Sequence, residues 1–191
     1  MHTDDLASII ELTMPTAALY TIRRGELVYD NIGGGLKKTR EEIVKIQSAP
    51  GTTACCFYDE DQTACRIYDS RPVECRAMAC WDEKQIKSVY AAGRLDRAAI
   101  FSSVQWLMDL INAHEMRCAY EQLDAWVQQR AEGDEQATEE ILATIRYDAA
   151  IRAQFKEKSE KDAAMLDLFF GRPLSYTIER QYGIKPARAC A

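Results

Sequence analysis

The first 54 residues contain no cysteine, and the whole chain has only two histidines. Basic residues are not in surplus either: 24 Lys and Arg stand against 30 Asp and Glu, a formal net charge of −6. That balance argues against sequence-independent nucleic-acid binding, which needs a basic footprint. No run approaches the roughly 18 uninterrupted apolar residues of a membrane helix. The opening MHTDDLASIIELT lacks a basic region followed by a long apolar run, so it does not read as a signal peptide. The expectation is a cytoplasmic protein with no nucleic-acid partner and no membrane partner. GGGLKKT (33–39) lacks the four-residue gap that lets backbone amides wrap a phosphate, so it is not a nucleotide loop. There is no internal repeat and no low-complexity segment. No Ser/His/Asp or paired-carboxylate arrangement can be assigned from the sequence, so no catalytic residue is named and enzymatic activity stays open.

What is present suits one globular domain spanning 1–191. The chain is 47% hydrophobic and 28% charged, ordinary values for a folded domain. Residues 4–14 and 15–23 read as one or two short helices broken near Pro15. Residues 25–35 read as a hairpin or loop. Thr39 to Ala49 reads as a helix, because Thr39 and Glu42 have the spacing of a capping box. Ser70 and Pro72 suggest another helix start. From Asp82 to Gly183 the periodicity is helical: Ile100, Val104, Leu107, Met108 and Ile111 form one stripe, and Leu142, Ile145 and Ala149 another. Gly133-Asp134 and Ser159 read as breaks. Gly171-Arg172-Pro173 closes a helix carrying Met165, Leu168 and Phe169. The expected fold is mainly α, a helical bundle (83–183) with an inserted cysteine-rich metal-binding loop region (55–82).

Five of the seven cysteines lie between Cys55 and Cys80. Disulfides fit poorly with an odd number and a reducing compartment. Buried structural thiols would explain Cys118 but not this density, nor the acids Asp59, Glu60, Asp61, Asp69 and Glu74 around it. Thiolates repel one another, so crowding them suits a cation that compensates. Zinc usually takes two close pairs of ligands, and only Cys75 and Cys80 form one. An iron–sulfur cluster is larger and accepts wider gaps. Arg66, Arg71 and Arg76 are positioned to offset residual negative charge around such a centre. Cys56, Cys65, Cys75 and Cys80 are the first choice of ligands, with Cys55 as the alternate.

The stretch Cys65-Arg66-Ile67-Tyr68-Asp69-Ser70-Arg71-Pro72-Val73-Glu74-Cys75-Arg76 with Cys80 resembles the signature of the YkgJ-type cysteine-cluster proteins. Cys56-Phe57-Tyr58 matches the family's cysteine ahead of an aromatic or apolar pair. The resemblance covers about 55–82 and implies zinc or iron chelation, often as an iron–sulfur cluster. Family members usually carry an upstream C-x-x-C-x-x-C-C run, and no cysteine precedes Cys55 here. Three functions follow as expectations. One is an iron–sulfur protein in a redox or accessory role with a protein partner. Another is a zinc-stabilised helical binding module without catalysis. The third is an enzyme acting at the metal. Elsewhere, His114 and Cys118 share a helix face and read as a core-edge histidine beside a buried thiol. Trp81, Trp106 and Trp126 read as packing, and Cys190 as a loose terminal thiol.

Overall fold

The computed structural model describes residues 1–79, 81–90, 93–158 and 163–185. Helix makes up 51% and strand 14% of them. The mainly-α expectation is therefore corrected: small antiparallel sheets, not loops alone, build the N-terminal part and frame the cysteines. Strands β1 (Leu19–Ile22) and β4 (Ile43–Ile46) pair antiparallel, with Leu19 opposite Ile46 and Ile22 opposite Ile43. Between them, β2 (Leu27–Tyr29) and β3 (Leu36–Lys38) form a hairpin, as expected for 25–35. The Asp30 side chain accepts from the amides of Ile32 and Gly33, both at 2.9 Å, and Gly34 and Gly35 take positive φ. That turn accounts for the triple glycine.

Two expected helices are strands, for physical reasons. In 15–23, only Thr16–Ala18 makes a single 3-10 turn; then Leu-Tyr-Thr-Ile follows, branched and aromatic side chains suited to a pleated surface. Thr21 is fully buried and donates to the Leu168 carbonyl at 2.7 Å. In 39–49, the two residues of the supposed capping box are used elsewhere. The Thr39 hydroxyl donates to the Arg23 carbonyl at 2.7 Å, and Glu42 accepts from the backbone and side chain of Arg97. Ile43, Val44 and Ile46 then run extended, with Val44 fully buried.

The helices are α1 (Leu6–Ile10), α2 (Val73–Ala77), α3 (Lys84–Tyr90), α4 (Arg97–Phe101), α5 (Gln105–Arg117), α6 (Tyr120–Ala131), α7 (Glu135–Lys158), α8 (Leu166–Phe169) and α9 (Leu174–Tyr182). Gly133-Asp134 does separate α6 from α7. Ser159 lies outside the described residues. The first expected stripe is split by the Ser102–Val104 break: Ile100 packs with Leu19, Val44 and Leu168, whereas Leu107 and Ile111 join Phe169 and Phe170. On α7 the buried face runs through Ile141, Thr144, Ile145, Asp148, Ile151 and Arg152, so Ala149 is exposed.

Charge is buried between the sheets and the helices. Arg23, fully buried, donates to the Cys118 carbonyl at 3.1 Å and lies 3.7 Å from Glu115. Arg97 bridges Glu42 and Glu115. Asp148 accepts from Arg152 at 3.0 Å and from the Leu174 amide at 2.9 Å, and its oxygen lies 2.8 Å from His114 Nε2. His114 is thus a core residue, and burial holds its imidazole below the ordinary histidine range despite the Asp148 contact. Cys118 is buried and its thiol is pushed up to about 12, chiefly by desolvation. Trp81 and Trp106 are exposed, which corrects the packing expectation for both; Trp126 packs beside Leu123 and Ile141.

Candidate metal centre

The cysteine stretch hangs from the end of β4. A turn through Pro50-Gly51, with Gly51 at φ 74°, brings Cys55 opposite Ser48. The Cys56 amide donates to the Gln47 carbonyl at 3.1 Å. The chain then makes a second hairpin, β5 (Tyr58–Asp59) with β6 (Ala64–Cys65), in which Cys65 faces Tyr58 across the ladder. Phe57 and Ile67 flank this hairpin and pack on the core around Leu19 and Val44. They anchor the loop by burial, so the thiols between them are held without a helix of their own.

Cys75 sits in the first turn of α2. Ser70 does not cap that helix: Pro72 precedes it and offers no side-chain acceptor. The cap comes from Asp5, 68 positions earlier, whose Oδ1 accepts from the Val73 amide at 2.9 Å while Oδ2 accepts from the His2 amide at 2.8 Å. Glu74, next to Cys75, pairs with Arg94 at 2.6 Å and with His2 Nε2 at 2.9 Å. Burial pushes the Glu74 carboxyl up, but the N-terminal ammonium, His2 and Arg94 outweigh it and hold it below the usual carboxylate range.

Cys55, Cys56, Cys65 and Cys75 are all free thiols; Cys55 and Cys75 are exposed, the other two half-buried. Partial desolvation raises the Cys75 thiol, and Cys55 and Cys65 raise it further. Cys56 is raised by burial and by its neighbour Cys55. Cys55 and Cys65 are therefore both near enough to Cys75 to act on its thiol. Cys55 and Cys75 also line one cavity of about 240 Å³ together with Gln47, Ser48, Thr53 and Glu74. Among the described residues, no three His, Cys, Asp or Glu side chains already converge as a closed metal site. Cys80 and Cys190 lie outside the described residues.

Among the described residues, two of the three arginines hold backbone and the third stacks on a ring. Arg66 Nη2 donates to the Cys56 carbonyl, and Arg76 Nη1 to the Arg71 carbonyl at 2.6 Å. Arg71 stacks on the Tyr68 ring at 3.7 Å. Arg66 thus ties the end of β6 to the loop at Cys56. Asp5 was missed by sequence reasoning, and no local spacing signals it.

Residues 24–92 match the model of the family CxxCxxCC, described as "Putative zinc- or iron-chelating domain". This stretch, 69 of the 191 residues, is similar to that family. No curated protein matches the chain, and no solved structure does. The CxxCxxCC match agrees with the cysteine-cluster resemblance and supports metal binding by this segment. It also reaches further than 55–82, taking in the β2–β3 hairpin, β4 and α3. The matched stretch contains the adjacent pair Cys55-Cys56 but no cysteine between residues 24 and 54. Among the described residues, no helix is long and apolar enough to cross a membrane.

Proposed function

We propose that the CxxCxxCC segment holds a single iron–sulfur cluster in a redox or accessory role toward a protein partner. The observation that carries it is that the free thiols Cys55 and Cys75 line one cavity, with Cys55 and Cys65 both raising the Cys75 thiol. Such an arrangement is relieved by a cation that takes thiolate ligands. The donor set fits: it is all sulfur, drawn from gaps wider than zinc usually uses. Cys55 is favoured over Cys56, because it shares a cavity with Cys75 and adds to the charge Cys75 senses. Cys80 is the fourth candidate from the sequence. With no cysteine upstream of Cys55, the thiols suffice for one centre rather than two.

When bound, a cluster supplies one-electron transfer, tuned by the charge and hydrogen bonds around its sulfurs. The chain's own part is to hold the thiols in place. Asp5 fixes α2, Arg66 fixes the Cys56 loop, and Phe57 with Ile67 fix the hairpin to the core. The second reading is a zinc-stabilised binding module, favoured by the exposed Met78 and Trp81 just past α2. Protein purified and reconstituted without oxygen decides between them. Iron and acid-labile sulfide in a fixed ratio, with a Mössbauer spectrum of a cluster, support the first. A colourless protein that takes up one tightly bound zinc supports the second. Failure to bind either metal overturns both.

A further inference from the structure

A second cavity lies beside the cysteine stretch and is not explained by it. It measures about 360 Å³ and opens between the β2–β3 hairpin, β4 and α9. Four cations line it, Lys45, Arg94, Arg172 and Arg180, against two carboxylates, Glu26 and Glu74. In a chain of net charge −6 this is a local reversal of sign. Both carboxylates are already engaged. Glu26, almost fully buried, holds Arg172 through Oε1 and accepts from the Arg23 amide through Oε2 at 3.0 Å. Glu74 holds Arg94 and His2. Among the described residues, Lys45 and Arg180 have no carboxylate partner.

The arginines are also pre-arranged. Arg172 presents Nε and Nη2 to Glu26, so its remaining Nη1 edge has no acceptor among the described residues. Arg172 and Arg180 lie over the same ring, Tyr176, at 5.6 and 5.4 Å, and the Tyr20 ring lies 6.0 Å from Arg172. Two like charges held against one ring, one of them without a counter-charge, are stabilised by an anion placed between them. The volume is at the lower end for small-molecule sites.

We propose that this cavity binds a small molecule bearing a carboxylate or phosphate beside a flat ring. Arg172, Arg180 and Lys45 hold the anion, and Tyr176 and Tyr20 flank the ring. Glu74 and Lys45 also line the cavity of Cys55 and Cys75, so the ligand sits next to the thiols. The inference stands on these side chains alone and does not require a particular metal.

Calorimetric titration of the full chain with phenyl phosphate, benzoate and benzylamine tests it. At least one of the two anions is expected to bind saturably at one site per chain, and benzylamine is not. Tighter binding of phenyl phosphate assigns a phosphate ligand, and tighter binding of benzoate a carboxylate. A Lys45→Gln/Arg180→Gln variant with unchanged melting should weaken the anion by about tenfold or more, the equivalent of one charged hydrogen bond. If the double variant melts early, Arg180→Gln alone takes its place, since that side chain is exposed. Absence of saturable anion binding, equal binding of benzylamine, or unchanged affinity in the variant overturns the proposal.

Discussion

Asp5→Ala tests how the site is built. The Asp5 side chain is 2% exposed and accepts two backbone amides, one from Val73 at the start of α2 and one from His2. Loss of a helix cap costs about 1 kcal/mol. Leaving a buried amide without an acceptor adds about 1–3 kcal/mol. The expected total is about 2–4 kcal/mol, a large share of the ~5–15 kcal/mol that holds a domain of this size folded. Urea unfolding at neutral pH measures it. Because α2 carries Cys75, the same change should lower metal affinity by about 10–100-fold, the usual effect of removing a group that orients a ligand. Competition with a chelator of known affinity measures that. Asp5→Asn keeps one acceptor oxygen and should recover part of both losses. If Asp5→Ala unfolds within about 0.5 kcal/mol of the parent, the cap contributes nothing. If it destabilises but binds metal equally well, the position of α2 does not govern the thiols.

Three further outcomes are expected. Cys75→Ser should lose bound metal and melt earlier, since a structural metal can contribute roughly 10 kcal/mol of folding free energy, whereas Cys190→Ser should keep both; equal metal content and melting in the two variants would contradict the site. Gly171→Ala should cost about 2–5 kcal/mol, because φ is +71° and the new Cβ would lie 2.6 Å from Arg23 Cγ, whose side chain is fully buried; Gly34→Ala, at φ +73° with nothing within 4 Å, carries only the backbone share, and equal losses in the two variants would refute the steric argument. The third concerns His114, whose folded-state imidazole is held below its ordinary value by burial, so the unfolded chain takes up a proton first. Stability should therefore fall as pH drops below about 6.5, with a slope of at most ~1.4 kcal/mol per pH unit that His114→Gln reduces; urea midpoints that show no such difference between parent and variant between pH 7.5 and 5 would contradict it.

The cysteine stretch was legible because its information is local. The spacing of Cys65, Cys75 and the intervening Arg-Pro survives in any fold, and so does a break such as Gly133-Asp134. The sheets were not legible, because their cause is distant. Glu42 looks like half of a capping box until Arg97 is brought beside it, 55 positions away. Tyr20 and Lys45 pair only once the β2–β3 hairpin has closed between them. On α7, buried Asp148 and Arg152 occupy the face toward the core, so a search for apolar spacing chose Ala149, which is exposed. Charged groups that satisfy one another inside the protein defeat hydrophobic periodicity as a guide.

The pairing of β1 with β4 means that the stretch recognisable by similarity is not a cassette that can be lifted out. A fragment cut at 24–92 would leave β4 with its inner edge bare, because all four of its partners lie at 19–22. It would strip Glu26 of Arg172 and Glu42 of Arg97, stranding two carboxylates made for buried counter-charges. It would also remove the carboxylate that starts the helix under Cys75. Grafting these cysteines onto another scaffold would transfer the ligands without the shape, and the recipient would have to provide its own equivalents of Asp5, Arg97 and Arg172.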